Sequence, residues 1–161
     1  MTWRGSSTPL DRVYASLPYL LPLVTSLGFS AAFFAQFPAL QVLFIPLAPL
    51  LIVYSFPFAS LIIFFALFML VVRNDRIPHF IRFNTMQAIL LDIVLFLCSL
   101  IINMALAPAL GANGDLLLDT LNNVVFLGTL VAVIYSVVQT AMGRYADIPT
   151  LSEAVYMQLP R

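Results

Sequence analysis

Charge is what this chain has least of. Only 9% of its 161 residues are charged, against 62% hydrophobic, and its mean hydropathy is +1.04. A soluble domain carries about a quarter charged residues. So few charges cannot cover a water-facing surface, which excludes a soluble globule and predicts an all-α integral membrane protein forming one domain over residues 1–161. Basic and acidic residues are equal at seven each, so no basic surface points to nucleic acid. There is one cysteine, Cys98, and one histidine, His79. Together they exclude an internal disulfide and a metal-ligand cluster, and no cofactor is expected. Cys98 sits inside an apolar run, where it reads as a small buried hydrophobe rather than a reactive thiol. The opening Met1-Thr-Trp-Arg-Gly-Ser-Ser-Thr-Pro-Leu-Asp-Arg12 has neither the charged-then-apolar pattern of a signal peptide nor the length of an Arg- and Ser-rich transit peptide. The expectation is insertion from where the chain is made, in a bacterium or inside an organelle.

What the chain does have is long uncharged runs. None of the residues from Val13 to Val72 is charged, and a span needs about 20 residues. That run holds either two spans plus an interfacial piece, or three spans. Ile81–Ala107 and Leu116–Met142 are further apolar runs, separated by Pro108-Ala-Leu-Gly-Ala-Asn-Gly-Asp115, a turn by composition. The arginines decide the count. Arg4, Arg12, Arg73, Arg76, Arg82, Arg144 and Arg161 avoid the Pro108–Asp115 turn. Cytoplasmic loops carry the excess of basic residues, so the N-terminal tail, the 73–82 loop and the C-terminal tail share one side. That predicts four transmembrane helices, at about 13–34, 52–72, 81–106 and 117–142, with both termini on the cytoplasmic side and a short tail at 143–161. The leftover piece near 37–49 holds Pro38, Pro46 and Pro49. It reads as a proline-broken interfacial or re-entrant segment, or as a kinked start to the second span. Arg73, Arg76 and Arg82 are the topology anchor. His79 reads as a headgroup-level polar residue, and Trp3, Tyr14 and Tyr19 as interfacial aromatics. Pro18 and Pro22 kink the first span.

The remaining polar residues fall into stripes. On the third span Thr85, Asp92, Ser99 and Asn103 share one face at 3.6 residues per turn, widened by Asn84, Gln87 and Cys98. Met86, Ile89, Leu90, Ile93, Leu97 and Leu100 form the opposite, lipid-directed face. On the fourth, Asn122, Thr129, Ser136 and Gly143 recur every seven residues, with Ala132, Gln139 and Thr140 beside them. Such a repeat of small and polar residues is a packing seam in membranes. Matching depths inward from Arg82 and Arg144 puts Asp92 about 15 Å deep, near the midplane. It also predicts antiparallel packing of the two helices, with Asp92 near Tyr135 or Ser136 and Asn103 level with Asn122 and Asn123. A midplane carboxylate is costly and faces a bundle interior or a wet cavity. Asp92 therefore reads either as part of a path or as a neutral acid locked to a hydroxyl. In the tail, Thr150 and Glu153 have capping-box spacing, predicting a short helix from Leu151 to Leu159. That helix lies on the membrane with Leu151 and Val155 down, or docks on a partner.

The run Arg73-Asn-Asp-Arg-Ile-Pro-His-Phe-Ile-Arg-Phe-Asn-Thr-Met-Gln-Ala-Ile-Leu-Leu-Asp92 resembles the signature of the Tic twenty family, the translocon at the inner envelope membrane of chloroplasts. The arginine-flanked loop, Phe83, Asn84, Gln87, Ala88 and Asp92 carry the match. Arg12-Val-Tyr-Ala-Ser-Leu-Pro-Tyr-Leu-Leu-Pro22 is similar to the family's first span. The resemblance implies a cyanobacterial or plastid-encoded membrane subunit for protein translocation. It implies residence in a cyanobacterial cell membrane or plastid inner envelope, with the thylakoid as a further candidate. It brings no catalytic residues.

Two functions follow. In one, Asn84, Gln87, Asp92, Ser99, Asn103, Asn122, Thr129 and Ser136 line a path for polypeptides or small solutes, shared among several copies or partners. In the other they are glue in a larger membrane complex that transports nothing. The expected partners are the lipid bilayer, other membrane subunits or further copies of the chain, and translocating polypeptides. Catalysis is a distant third reading. Asp92, His79 and Cys98 lie at different depths, and Asp115 and Asp119 fall at the outer surface, so no nucleophile–base or paired-acid arrangement converges.

Overall fold

The computed structural model describes residues 7–159, and no β-strand occurs among them. Trp3, Arg4 and Arg161, read above as interface or inner-side markers, lie outside the described residues. The first helix, α1 (Pro9–Ser16), begins with a capping box. The Thr8 hydroxyl accepts the Asp11 N–H at 3.2 Å, and the Asp11 carboxylate accepts the Thr8 N–H at 2.9 Å. The run continues as a 3-10 turn at Leu17–Tyr19, α2 (Leu20–Ser26), a second 3-10 turn at Leu27–Phe29 and α3 (Ala31–Gln36). The expected first span is therefore a chain of short helical pieces. Pro18 and Pro22 lack the N–H that the ladder needs. Ser26 and Ser30 turn their hydroxyls onto the Leu23 and Leu27 carbonyls at 2.7 Å each, competing with it.

The second apolar run departs furthest from expectation. Pro38–Leu47 is a 3-10 helix, followed by α4 (Ala48–Tyr54), and none of these residues is buried. The chain breaks at 55–58 and resumes as α5 (Ala59–Leu67) and a π-turn at Phe68–Val72. The two arms, Pro38–Tyr54 and Ala59–Val72, meet at 98°. The expected uninterrupted span over 52–72 is thus corrected. Pro57 cannot join a helical ladder, and Phe58 takes the left-handed conformation at φ 62°, where the chain turns.

The third helix is longer than expected. It runs from α6 (His79–Leu100) through a π-turn at Ile101–Leu106 into α7 (Ala107–Leu110) and a 3-10 turn at Gly111–Asn113. Its 35 residues extend about 52 Å, against a hydrocarbon core of about 30 Å. The turn expected over 108–115 narrows to the glycine-bounded stretch 111–114. Pro108 follows the π-turn and cannot donate into the helical ladder, and Gly111 at φ +56° ends the α-helical run. The fourth long helix, α8 (Asp115–Ala141), ends at Gly143, φ +73°, and α9 (Leu151–Gln158) closes the described chain. His79–Asn113 and Asp115–Ala141 are long and apolar enough to cross a membrane, and a third crossing is counted if the bent pair is one span.

Packing differs from the depth-matched expectation. α1 and α2 lie against both α6 and α8, which touch each other only slightly. The first run thus fills much of the groove between α6 and α8, which still meet through Asn84 and Thr140 and through Leu91 and Val133. Asp92, expected near Tyr135 or Ser136, faces Thr25 and a cavity with no lining residue from α8. Depth matching orders residues along two helices but cannot say whether a third lies between them. The wheel also fails at one end of α6. Met86 and Ile89 are buried (6% and 1% exposed) instead of facing lipid, because Val155 and Leu159 of the tail fold over them together with Val72 and Phe83. Farther along, Ile93, Leu97 and Leu100 are exposed. At the opposite end of the bundle Phe33, Phe34 and Phe44 ring Phe126 at centroid distances of 5.4–5.9 Å.

Candidate functional site: a buried amide knot and an acidic cavity

The polar residues of α6 divide into two sites. The first lies in its opening turns. Leu17–Tyr19 brings Tyr19 against α6, and its hydroxyl donates to Asn84 Oδ1 at 3.0 Å. Asn84 Nδ2 donates back along the helix to the Phe80 carbonyl at 2.8 Å. Gln87 Nε2 donates to the Tyr19 hydroxyl at 3.0 Å and to the Ala146 carbonyl at 2.6 Å. Gln87 Oε1 accepts from Ser152 Oγ at 2.8 Å. The Thr140 hydroxyl reaches the Ser136 carbonyl at 2.7 Å and Asn84 Oδ1 at 3.1 Å, its single proton serving one at a time. Tyr19, Asn84, Gln87 and Thr140 are all completely buried. Both amide protons and the carbonyl of Gln87 are thus satisfied by three different parts of the chain, which a low-dielectric interior demands. Tyr19, expected at the membrane interface, is instead the hinge of this knot.

The arginine loop closes the same end. Arg82 Nε donates to the Val72 carbonyl at 2.8 Å, and its guanidinium pairs with Asp75 at 2.9 Å. Arg73 and Arg76 are exposed. Arg12 reaches the Ala141 carbonyl at 3.3 Å, placing a cation at the C-terminus of α8. His79 is more than a headgroup residue, since its ring nitrogens lie 3.1 Å from the Tyr145 hydroxyl and 3.4 Å from the Leu159 carbonyl. The tail helix forms where expected, but Thr150 makes no cap. It occupies a γ-turn instead, φ 71°, ψ −51°, with Leu151 N–H on the Pro149 carbonyl at 2.8 Å.

The second site lies deeper. A cavity of about 470 Å³ opens between three walls: Thr25, Gly28 and Phe29 of the first run; Ser60, Leu61 and Phe64 of α5; and Asp92, Ile93, Phe96 and Ser99 of α6. The Asp92 carboxyl faces Thr25. Its Oδ1 is buried and without a hydrogen-bond partner, and so is the Tyr54 hydroxyl nearby. The bend at 55–58 is what brings Tyr54 back toward Asp92.

The other candidate residues are scattered. Asn103 is exposed and turns back on Ser99, its Nδ2 3.0 Å from that carbonyl and 3.1 Å from the hydroxyl. Asn122 is half-buried. Thr129 is buried and bonds the Val125 carbonyl of its own helix at 2.7 Å. Ser136 is buried beside Tyr19. Sequence reasoning passed over Ser152, Thr25, Ser60 and Tyr54. Each is a lone hydroxyl without a periodic companion, so only the meeting of separate segments makes it part of a site.

The described residues hold no cluster of His, Cys, Asp or Glu fit for a metal. What the two sites offer is hydrogen bonding: one closed and satisfied, one open and unsatisfied.

Residues 9–155 match the family model described as "Chloroplast import apparatus Tic20-like". A Tic20 family protein of Synechocystis sp. is 48% identical over 150 residues, covering 92% of each chain. Protein TIC 20-II, chloroplastic, of Arabidopsis thaliana is 35% identical over 164 residues, covering 99% of this chain and 78% of the relative. The Tic20 family protein Ycf60 of Gracilaria tenuistipitata var. liui is 35% identical over 160 residues, covering 94% and 76%. With nearly its whole length matched and its helices apolar enough to cross a bilayer, the chain belongs to the Tic20 family of membrane proteins.

Proposed function

We propose that this protein is a membrane subunit of a protein-translocation apparatus, touching polypeptides at the Asp92 cavity on the flank of its helices rather than through a pore of its own. The observation that carries the reading is the match of residues 9–155 to an import-apparatus family. The geometry supports that site for the contact. Asn84 and Gln87 are buried and satisfied within one chain, so the knot serves as internal glue and leaves no passage at that end. Asp92 and Ser99 line a space that is open. The remaining stripe residues, Asn103 and Asn122 at the far end and Thr129 and Ser136 on α8, serve helix and subunit interfaces. Four crossings with both ends on the cytoplasmic or stromal side fit this role. That layout is supported by the meeting of Ala15, Val71, Ile77, Phe80, Ile81 and Tyr145 in one cluster, which gathers the start of the first run, the end of the second, the start of the third and the tail. Arg73, Arg76 and Arg82 anchor that end.

The test is photocrosslinking in living cells from benzoylphenylalanine placed at Phe96, on the rim of the cavity. Adducts with many different precursor or nascent chains support translocation. The knot favours a second reading, an assembly subunit that transports nothing, because it shows how much of the polar stripe is structural. A single discrete crosslinked partner would decide for that second reading.

A further inference from the structure

We propose that the Asp92 cavity is a docking pocket for a transmembrane helix carrying a basic side chain near its midpoint. Asp92 lines the cavity with its Oδ1 buried and without a hydrogen-bond partner, and the Tyr54 hydroxyl nearby is also buried without one. Within the described residues the ion pair is Arg82–Asp75, and Arg82 lies about 15 Å along the helix from Asp92. Among the described residues no cation pairs with the Asp92 carboxyl. A lone acid and a lone base are each costly in hydrocarbon, and pairing them offsets both costs. Thr25, Ser60 and Ser99 add hydroxyl acceptors around the same space, matching an ammonium's three donors.

The shape and the position select a helix. The walls extend from Asp92 to Ser99, two turns of α6, which is the length over which a parallel or antiparallel helix presents one face. Phe29, Phe64, Phe96, Ile93 and Leu61 supply the apolar sides. Leu61, Ile93 and Phe96 are exposed, so the mouth is on the lipid-facing flank, where such a helix arrives. Lipid amines sit at headgroup level, about 15 Å from the midplane, and do not reach a carboxyl at this depth. This inference deepens the translocation reading by naming what a client helix must carry, and it rests on that reading only for which helix arrives in the cell.

The experiment co-expresses the full chain, with benzoylphenylalanine at position 96, and a leucine–alanine helix of about 20 residues bearing lysine, leucine or aspartate at its centre. The lysine helix should crosslink about tenfold more than the leucine helix, the order set by one charge-assisted hydrogen bond. Asp92→Asn should abolish that preference, and Asp92→Lys should transfer it to the aspartate helix. Equal crosslinking of the lysine and leucine helices, or an undiminished preference in Asp92→Asn, overturns the proposal. So do adducts with lipid alone. If the lysine helix docks but no precursor chain crosslinks in cells, the pocket stands and the translocation reading falls. If precursors crosslink regardless of their basic residues, translocation stands and the pocket chemistry falls.

Discussion

The Gln87 side-chain nitrogen donates to the Ala146 carbonyl at 2.6 Å, across a separation of 59 residues. With Tyr19 and Ser152 on its other atoms, one glutamine ties the first run, α6 and the tail together.

Replacing Gln87 by Met keeps the volume and removes the bonds. It strands the Ala146 carbonyl and the Ser152 hydroxyl in the interior, at about 1–3 kcal/mol for each unsatisfied group. The purified variant should unfold at a clearly lower temperature in detergent, and protease should clip its tail first. A melting temperature equal to the parent's would show that the knot contributes nothing.

Burial along α6 sets a lipid-access pattern that a simple wheel contradicts. Spin labels at Ile93 and Leu97, both exposed, should relax with oxygen dissolved in the bilayer. Labels at Met86 and Ile89, under Val155 and Leu159, should be protected. Equal oxygen access at all four positions would mean that the tail does not dock.

Val155 is fully buried against that cluster. Val155→Ala leaves a void beside Met86 and Ile89 and should cost about 1–2 kcal/mol. It should also raise oxygen access at Met86 specifically. Unchanged access there, with the protein still folded, would place the tail elsewhere.

Gly143 is a turn that only glycine fits. Its φ is +73°, and a Cβ would come within 2.7 Å of Ser7 Oγ and 3.0 Å of Arg12 Nε. Gly143→Ala should cost about 1–2 kcal/mol from the left-handed backbone alone, and the clash pushes Arg12 off the Ala141 carbonyl. Thermal unfolding of Gly143→Ala beside Gly128→Ala, where nothing lies within 4 Å, separates this local strain from a general loss of glycine. Equal stability of the two variants would refute it.

Membrane residence, helicity and the family were legible in residues 73–92 and in the scarcity of charge, because hydrocarbon forces backbone groups to bond within helices whatever the fold. The tail helix forms where it was expected, although the capping box that pointed to it does not. The neighbours of Asp92 were not legible. The wheel gave it the right helix, but its surroundings are set by Thr25, Tyr54 and Ser60, which share no period with it.

By itself the chain's sequence determined its solvent, its helical character and which residues are too polar to face lipid, since each of these follows from local composition. Only the tertiary structure decided that the first run packs against both long helices, that Pro57 and Phe58 fold the second run back by 98°, and that the tail seals one end. Those choices divide a single stripe into a satisfied knot and an unsatisfied acid. Hydrogen bonds and packing between distant segments make that division, and no local pattern encodes which segments will meet.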